Sequence, residues 1–417
     1  MTKFTQFLAL ICLVATSTMC SRDTIPEPAP DGPERTPFRW EDGTESASVT
    51  DDGYGGEVEL SLSCDSGYTV QEDADWITVE TRYGGVLTLK LDENRGLESR
   101  EAQIKISEID TGESITCTVS QTYTDKAVLI RLYDALDGDN WGDKRCWKSD
   151  SPIREWYGVS TGENGRVTHL QLENNHLRGE LPDEIHLLNE LQTLELYSLK
   201  HTNTLNNSQK DLWNEITGTF HASSFPHLKT IWLAGCVGLG GDIEEFWSLA
   251  EVEKIHLDNC CFAGAITPEI VNLTHLTHLH LDSNNLSGKI PDEITRMTWL
   301  KGLRLGNSYK KSYTSPYYVE PCNVFEGGLP ESLGDMKSLE YLDLNFAGLT
   351  GAFPESFYSL PSLRSCSIIY NAFSGTLDGT KLSSMPSMSS FLIYNNPGLF
   401  ITGEIPSWVS CFSNQIR

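Results

Sequence analysis

Trp232, His256, His280 and Arg304 follow one another at intervals of 24 residues. Lys254 and His278 stand two places before the histidines, and Asp258 and Asp282 two places after them. In an extended strand alternate side chains share a face, so each histidine has one flanking residue on its own face in either direction. If each 24-residue unit contributes a strand to one sheet, neighbouring strands lie about 4.8 Å apart and these side chains meet across it. An indole, two imidazoles and a guanidinium beside two carboxylates can stack on, hydrogen bond to and charge-pair with a ligand. By pattern the row faces solvent, so its members are not core fillers, and the plain alternative is a solvated polar ladder. His256, His280 and Asp258 or Asp282 are also metal-ligand types. An open flat sheet lacks the closed geometry and supporting shell that such sites need, so no metal or other cofactor is expected. Asp258 and Asp282 could stand about 5 Å apart, as in retaining glycosidases. No pocket is expected to keep one of them protonated, so the chain is not read as an enzyme.

The elements that must position this row are written in residues 276 to 291, LTHLHLDSNNLSGKIP. Leu276, Leu279, Leu281, Asn284, Leu286, Gly288, Ile290 and Pro291 mark one unit of a repeat. Units begin at Val167, Leu191, Leu228, Val252, Leu276, Leu300, Leu339, Leu363 and Met388, with long intervals only after Leu191 and Leu300. A period in the twenties means a short strand and a return segment that bury their apolar face only by stacking. The Asn amide can satisfy backbone groups where the chain leaves the strand. Cys236 and Cys260 take that place as small buried residues. With GELP at 179, GKIP at 288, GGLP at 327, GAFP at 351 and GEIP at 403, residues 125 to 417 resemble the plant-specific class of leucine-rich repeat. GDIEE at 241 and GTLDG at 375 depart from its motif. The resemblance implies an α/β solenoid of about nine repeats over 167–417, with a parallel β-sheet on its concave face and a short C-terminal cap. It also implies a protein or peptide ligand, since this class mostly binds polypeptides.

Both long repeats lengthen directly after the strand, one following Leu199 and the other following Ser308. The exits are four strands apart, on the order of 19 Å, so the two loops would bracket the row from Trp232 to Arg304. Long loops in a compact array are commonly functional. The second carries Tyr309, Tyr313, Tyr317 and Tyr318 with Lys310 and Lys311, aromatic and basic in an acidic chain, and tyrosine offers a flat apolar face with a polar tip. A solenoid end must be covered. Leu129, Leu132, Tyr133 and Leu136 give a helical face suited to that within 124–166. Asp139, Asn140, Trp141, Trp156, Gly158 and Val159 make this segment similar to the N-terminal cap of the same repeat class. Plant members staple the cap with a cysteine pair. Here Thr161 stands in place of the second cysteine, leaving Cys146 without an obvious partner. At the other end only Trp408, Val409 and Phe412 are available to cover the last coil.

Residues 38–123 alternate apolar and polar in short segments such as EVELSLSC, WITVE, GVLTLKL, AQIKIS and ITCTVSQ, separated by DDGYGG and DTGE. That pattern predicts an Ig-like antiparallel β-sandwich. Trp76 in ADWITV, Asn94, Arg100, Gly112 and the closing TVSQ make it resemble the BACON domain, whose name records a Bacteroidetes association and supposed carbohydrate binding. Trp76 is read as core and the sandwich as a spacer. The alternative is glycan binding (host mucin or dietary) through this domain within a polysaccharide-capture system. Residues 1–19 read as an export signal with an apolar run from Phe7 to Ala15, and Cys20 resembles a bacterial lipoprotein's lipidated cysteine. Residues 20–37 are rich in proline and acid and read as a tether. The chain is thus expected on the outer membrane, lipid-anchored and facing outward, as a Bacteroidetes surface lipoprotein. The net charge of -27 disfavours nucleic acid and anionic membrane surfaces. Apart from Cys12 and Cys20, nine of the eleven cysteines remain, with no C-x-x-C spacing. Most are read as free and buried.

Overall fold

The computed structural model describes residues 37–51, 53–64, 67–82, 85–198, 214–307 and 322–416. It is strand-rich, and among the described residues its α-helices are Asp125–Ala135 and Gly379–Ser383, the remaining helical turns being 3-10. The chain divides into two compact units. One holds residues up to Ser48, Glu57–Lys90 and Ala102–Thr118, and the other holds Val49–Gly56, Leu91–Glu101 and the residues from Val119 onward.

The amino-terminal strands form two four-stranded sheets. One runs Arg39–Trp40, Gly56–Ser63, Val86–Leu91, Ile77–Arg82, and the other Ser46–Asp51, Ser114–Gln121, Arg100–Glu108, Tyr68–Glu72. Alternation fixes which face is inside: Ala102, Ile104 and Ile106 are buried while Glu101, Gln103 and Lys105 between them are exposed. Ile115, Cys117 and Val119 do the same on the neighbouring strand. Trp76 is 8% exposed, core as the sequence implies.

The repeats build an eleven-stranded sheet whose order runs regularly along the chain from Val159–Thr161 to Val409–Ser410. Its strands pair in parallel, apart from Val159–Thr161, which runs antiparallel to Val167–Gln171. Strand leucines such as Leu279, Leu281, Leu303 and Leu305 are buried, each worth roughly 2 kcal/mol of transfer energy. After the Asn position the chain makes a further short strand. Arg178–Glu180, Glu215–Thr219, Gly238–Asp242, Cys261–Ala265, Asn285–Gly288 and Val324–Phe325 form a second, six-stranded parallel sheet. The sequence reading treated this stretch only as a return segment. These strands alternate through small residues and glycines, so their apolar signal is weak. Gly179 shows why glycine is needed there: its φ is +136°, and a Cβ would lie 2.2 Å from the Ala135 carbonyl at the end of the cap helix.

Asparagines tie successive coils together. Asn284 accepts from Phe262 N and donates to the carbonyls of Leu257 and Leu281. Asn214 and Asn323 occupy the same place at the ends of the two insertions. Asn323 donates to Leu281 O and Leu305 O and accepts from Asn284 N and Leu286 N, and Asn214 does the equivalent for the first two coils. At Cys236 and Cys260 a thiol donates one bond instead, to Leu196 O and Leu233 O. Gln415, from the tail, closes the series on Ile393 O and Asn396 O. The cap helix buries Leu129, Leu132, Tyr133 and Leu136. Thr124 caps its first turn by accepting from Ala127 N. Asp125 then receives Val167 N and Arg166 Nε, which fixes the helix to the first repeat. Tyr133, Trp141, Trp147 and Trp156 pack ring against ring with centroids 4.8–5.9 Å apart. Cys146 is free and exposed, so packing rather than a staple holds the cap. Among the described residues Cys117, Cys146, Cys236, Cys260, Cys261, Cys322, Cys366 and Cys411 are free, but only Cys117, Cys236, Cys260 and Cys366 are buried, fewer than the sequence reading held.

Candidate ligand-binding face of the long sheet

The register brings the row together. Glu195, Trp232, His256, His280, Arg304 and Asp343 are successive Cα partners across six adjacent strands. The rings touch along it, Trp232 and His256 tilted with centroids 4.8 Å apart and His256 and His280 edge to face with centroids 4.2 Å apart. The stack starts one coil earlier than the sequence indicated, because Tyr197 lies on Trp232 at 4.2 Å and 23°. Tyr197 sits in the column of Asp258 and Asp282 rather than in the central row. Its ring reaches Trp232 diagonally, as long aromatic side chains can.

The expectation of a solvated face is corrected here. Packing against one another leaves His256, His278, His280, Asp258 and Trp232 half-buried, and Asp282 is only 3% exposed. Arg304 Nη2 donates to Asp282 Oδ2 at 3.0 Å. Two buried atoms of this ion pair find no partner, Asp282 Oδ1 and Arg304 Nε. Asp343, which the sequence reading did not single out, completes the cluster, half-buried and accepting from Asn345 N. His278 stands to the side, its centroid 6.3 Å from that of His256 and 6.1 Å from that of His280, with Nδ1 on Thr277 Oγ1. Lys254 is exposed. Gly302 leaves room for the rings: a Cβ there would stand 2.9 Å from His278 Cδ2 and 3.4 Å from His280 Nε2. Tyr309, Tyr313, Tyr317 and Tyr318 lie outside the described residues, as does Cys20.

Burial sets the electrostatics. It pushes the His256 imidazole down to about 4, helped by the charges of His278, Lys254 and Arg304, and His280 down to about 2 with His256 and Arg304 adding to it. Both rings are therefore neutral at neutral pH. Burial raises Asp258, and raises Asp282 with the Asp258 charge adding to it. Burial opposes the Arg304 charge, but Asp282, Asp258 and Asp343 outweigh it and hold the guanidinium above its ordinary value. The ligand atoms of His256, Asp258 and His280 all lie within 4.8 Å of one another.

Comparison with known proteins gives the setting. Residues 66–122 match the BACON family, described as "Putative binding domain, N-terminal". Residues 166–188, 275–297 and 338–360 match the leucine-rich repeat family. Receptor-like protein 31 of Arabidopsis thaliana is 31% identical over 108 residues, 26% of this chain and 12% of the relative. A probable leucine-rich repeat receptor-like protein kinase of the same plant is 45% identical over 53 residues, 12% of this chain and 6% of the relative. The chain therefore spans only a small part of either relative's length. Among solved structures, PEPR1-AtPEP1 aligns with a TM-score of 0.50 at 23% identity, covering 68% of this chain and 42% of that one. The Arabidopsis HAESA ectodomain in complex with a peptide hormone gives 0.49 at 24% identity, covering 68% and 47%. At these identities the likeness is one of fold. The chain thus carries a BACON domain and leucine-rich repeats, the repeats forming a solenoid like that of the PEPR1 structure.

Proposed function

We propose that this is a non-enzymatic binding protein that takes a protein or peptide ligand on the long-sheet face between Trp232 and Arg304, with the BACON domain as a spacer. The observation that carries this reading is the continuous run from Tyr197 through Trp232, His256 and His280 to the Arg304–Asp282 pair. An indole and a guanidinium on one face, here three strands apart, are residue types that dominate binding energy at protein interfaces. The orphaned polar atoms beneath it suit a ligand better than solvent-facing decoration. The matched relatives, named as receptor-like, support the same reading. The strands Thr193–Glu195 and Gly302–Arg304, after which the two insertions follow in the sequence, stand at either end of this run, and the tyrosines of the second insertion are included in the proposed site on the sequence alone. Export and anchoring through Cys20 at an outer membrane complete the proposal and rest on the sequence of residues 1–37.

The test is a binding screen of the full chain against extracellular proteins, peptides and glycans, repeated with Trp232→Ala. A polypeptide ligand whose affinity falls at least about tenfold, ~1.4 kcal/mol, supports the reading. Capture of a glycan that is indifferent to Trp232→Ala assigns binding to the BACON domain and overturns it.

A further inference from the structure

We propose that His256, Asp258 and His280 form a binding site for a divalent first-row metal ion of the zinc type, whatever larger ligand the face takes. The three donors are close already, all within 4.8 Å of one another. Zinc–nitrogen and zinc–oxygen bonds of about 2.1 Å put tetrahedral donors roughly 3.4 Å apart, so shifts of about 1 Å close the set. Two imidazoles and one carboxylate are a zinc donor set that leaves a fourth position for water or a ligand atom. The donors also stand on a rigid base. His256 and His280 are partners in adjacent strands, and Asp258 follows His256 by two residues, past the buried Leu257.

The surroundings call for a cation. Asp258, Asp282 and Asp343 gather three carboxyl groups around the single guanidinium of Arg304, and Lys254 is out in solvent. A divalent ion would supply positive charge beside these carboxyl groups. Asp282 adds an independent sign. It is 3% exposed, Arg304 holds its Oδ2, and its Oδ1 is buried without a partner. A carboxylate oxygen in that position accepts readily from a metal-bound water or a ligand imidazole, the supporting role that orients metal sites. This burial supplies an enclosure that the reading of an open, flat sheet did not include.

The experiment loads the full chain, stripped with chelator under reducing conditions, with Zn2+ and measures stoichiometry by equilibrium dialysis. One equivalent bound by the wild type is expected. His256→Gln, Asp258→Asn and His280→Gln should each weaken it at least about tenfold, and His227→Ala should leave it unchanged. Absence of stoichiometric binding by the wild type overturns the proposal, as does binding that survives all three substitutions. X-ray absorption of the zinc-loaded wild type needs no variant to fold. Nitrogen and oxygen neighbours at about 2.0–2.1 Å support the site, whereas sulfur at about 2.3 Å assigns the ion to the free cysteines and overturns it.

Discussion

Two polar rows run along the same stack of coils at the same period, and they solve opposite problems. The asparagine row is fully inside and spends its hydrogen bonds on the backbone: Asn323 alone links Leu281 O, Leu305 O, Asn284 N and Leu286 N. The row from Trp232 to Arg304 lies on the sheet face, bonds little to the backbone, and leaves Asp282 Oδ1 and Arg304 Nε unmet. A row with every group satisfied serves the fold. A row that buries charge and leaves it unsatisfied is costly, and the bound ligand or ion proposed above would offset that cost. The largest effect should therefore follow from damage to the first row. Asn323→Ala strands several buried backbone groups at once, and urea unfolding should show a loss of roughly 4 kcal/mol. Cys260→Ala, which removes a single thiol bond to Leu233 O, should cost about 1 kcal/mol. Equal losses for the two would erase the distinction between an asparagine rung and a cysteine rung.

In the facing row the effect should be smaller and should depend on which partner is left behind. Asp282→Ala abandons Arg304 among Asp258 and Asp343, and a loss of about 2 kcal/mol is expected. That lies below the usual range for a buried pair, because the Arg304 side chain is 38% exposed and water screens it. Asp282→Leu combined with Arg304→Met removes both charges and should be nearly neutral, since a buried ion pair commonly stabilises no more than an apolar one of the same volume. A double variant as damaged as the single would mean that the pair is structural after all, which would bring the two rows into one class.

How much of this was legible in the sequence follows the same division. Periodic features were readable: the strand starts, the column positions of Trp232, His256, His280 and Arg304, and the cap-helix face of Leu129, Leu132, Tyr133 and Leu136 each repeat an apolar or register signal. What was missed has no period of its own. Gln415 comes from a tail without a repeat, yet it does the work of an asparagine. The second sheet is built through glycines and small residues that alternate too faintly to mark strands. The burial of the facing row was hidden for another reason. Pattern tells which way a side chain leaves the strand, but whether it stays wet depends on the size of its neighbours. Tyr197, Trp232, His256 and His280 are each large enough to cover the next.

The smallest effect, and the most discriminating, is that of pH on the metal-free protein, where opposing terms partly cancel. The folded-state pKa of His256 is lowered from 6.5 to about 4 by burial first and then by His278, Lys254 and Arg304. Its contribution to stability is therefore present above about pH 6.5 and is lost as pH falls toward 4. His280 acts in the same sense over a wider range. Asp282 acts in reverse. Its pKa is raised by burial and by Asp258, so its contribution is greatest below the ordinary carboxylate value and declines as pH rises through the raised one. Between pH 4 and 6.5 the two slopes oppose, and the wild type should show a shallow profile there. Asp282→Asn takes away the carboxylate slope and leaves the imidazole slope, so urea midpoints of this variant should fall more steeply with acid than those of the wild type. The asparagine row holds no titrating group, and Asn371→Ala should lower stability by the same amount at both ends of the window. A parallel shift in Asp282→Asn as well would show that Asp282 keeps an ordinary carboxylate pKa, and the facing row would then be closer to the solvated ladder that the bland reading of the sequence allows.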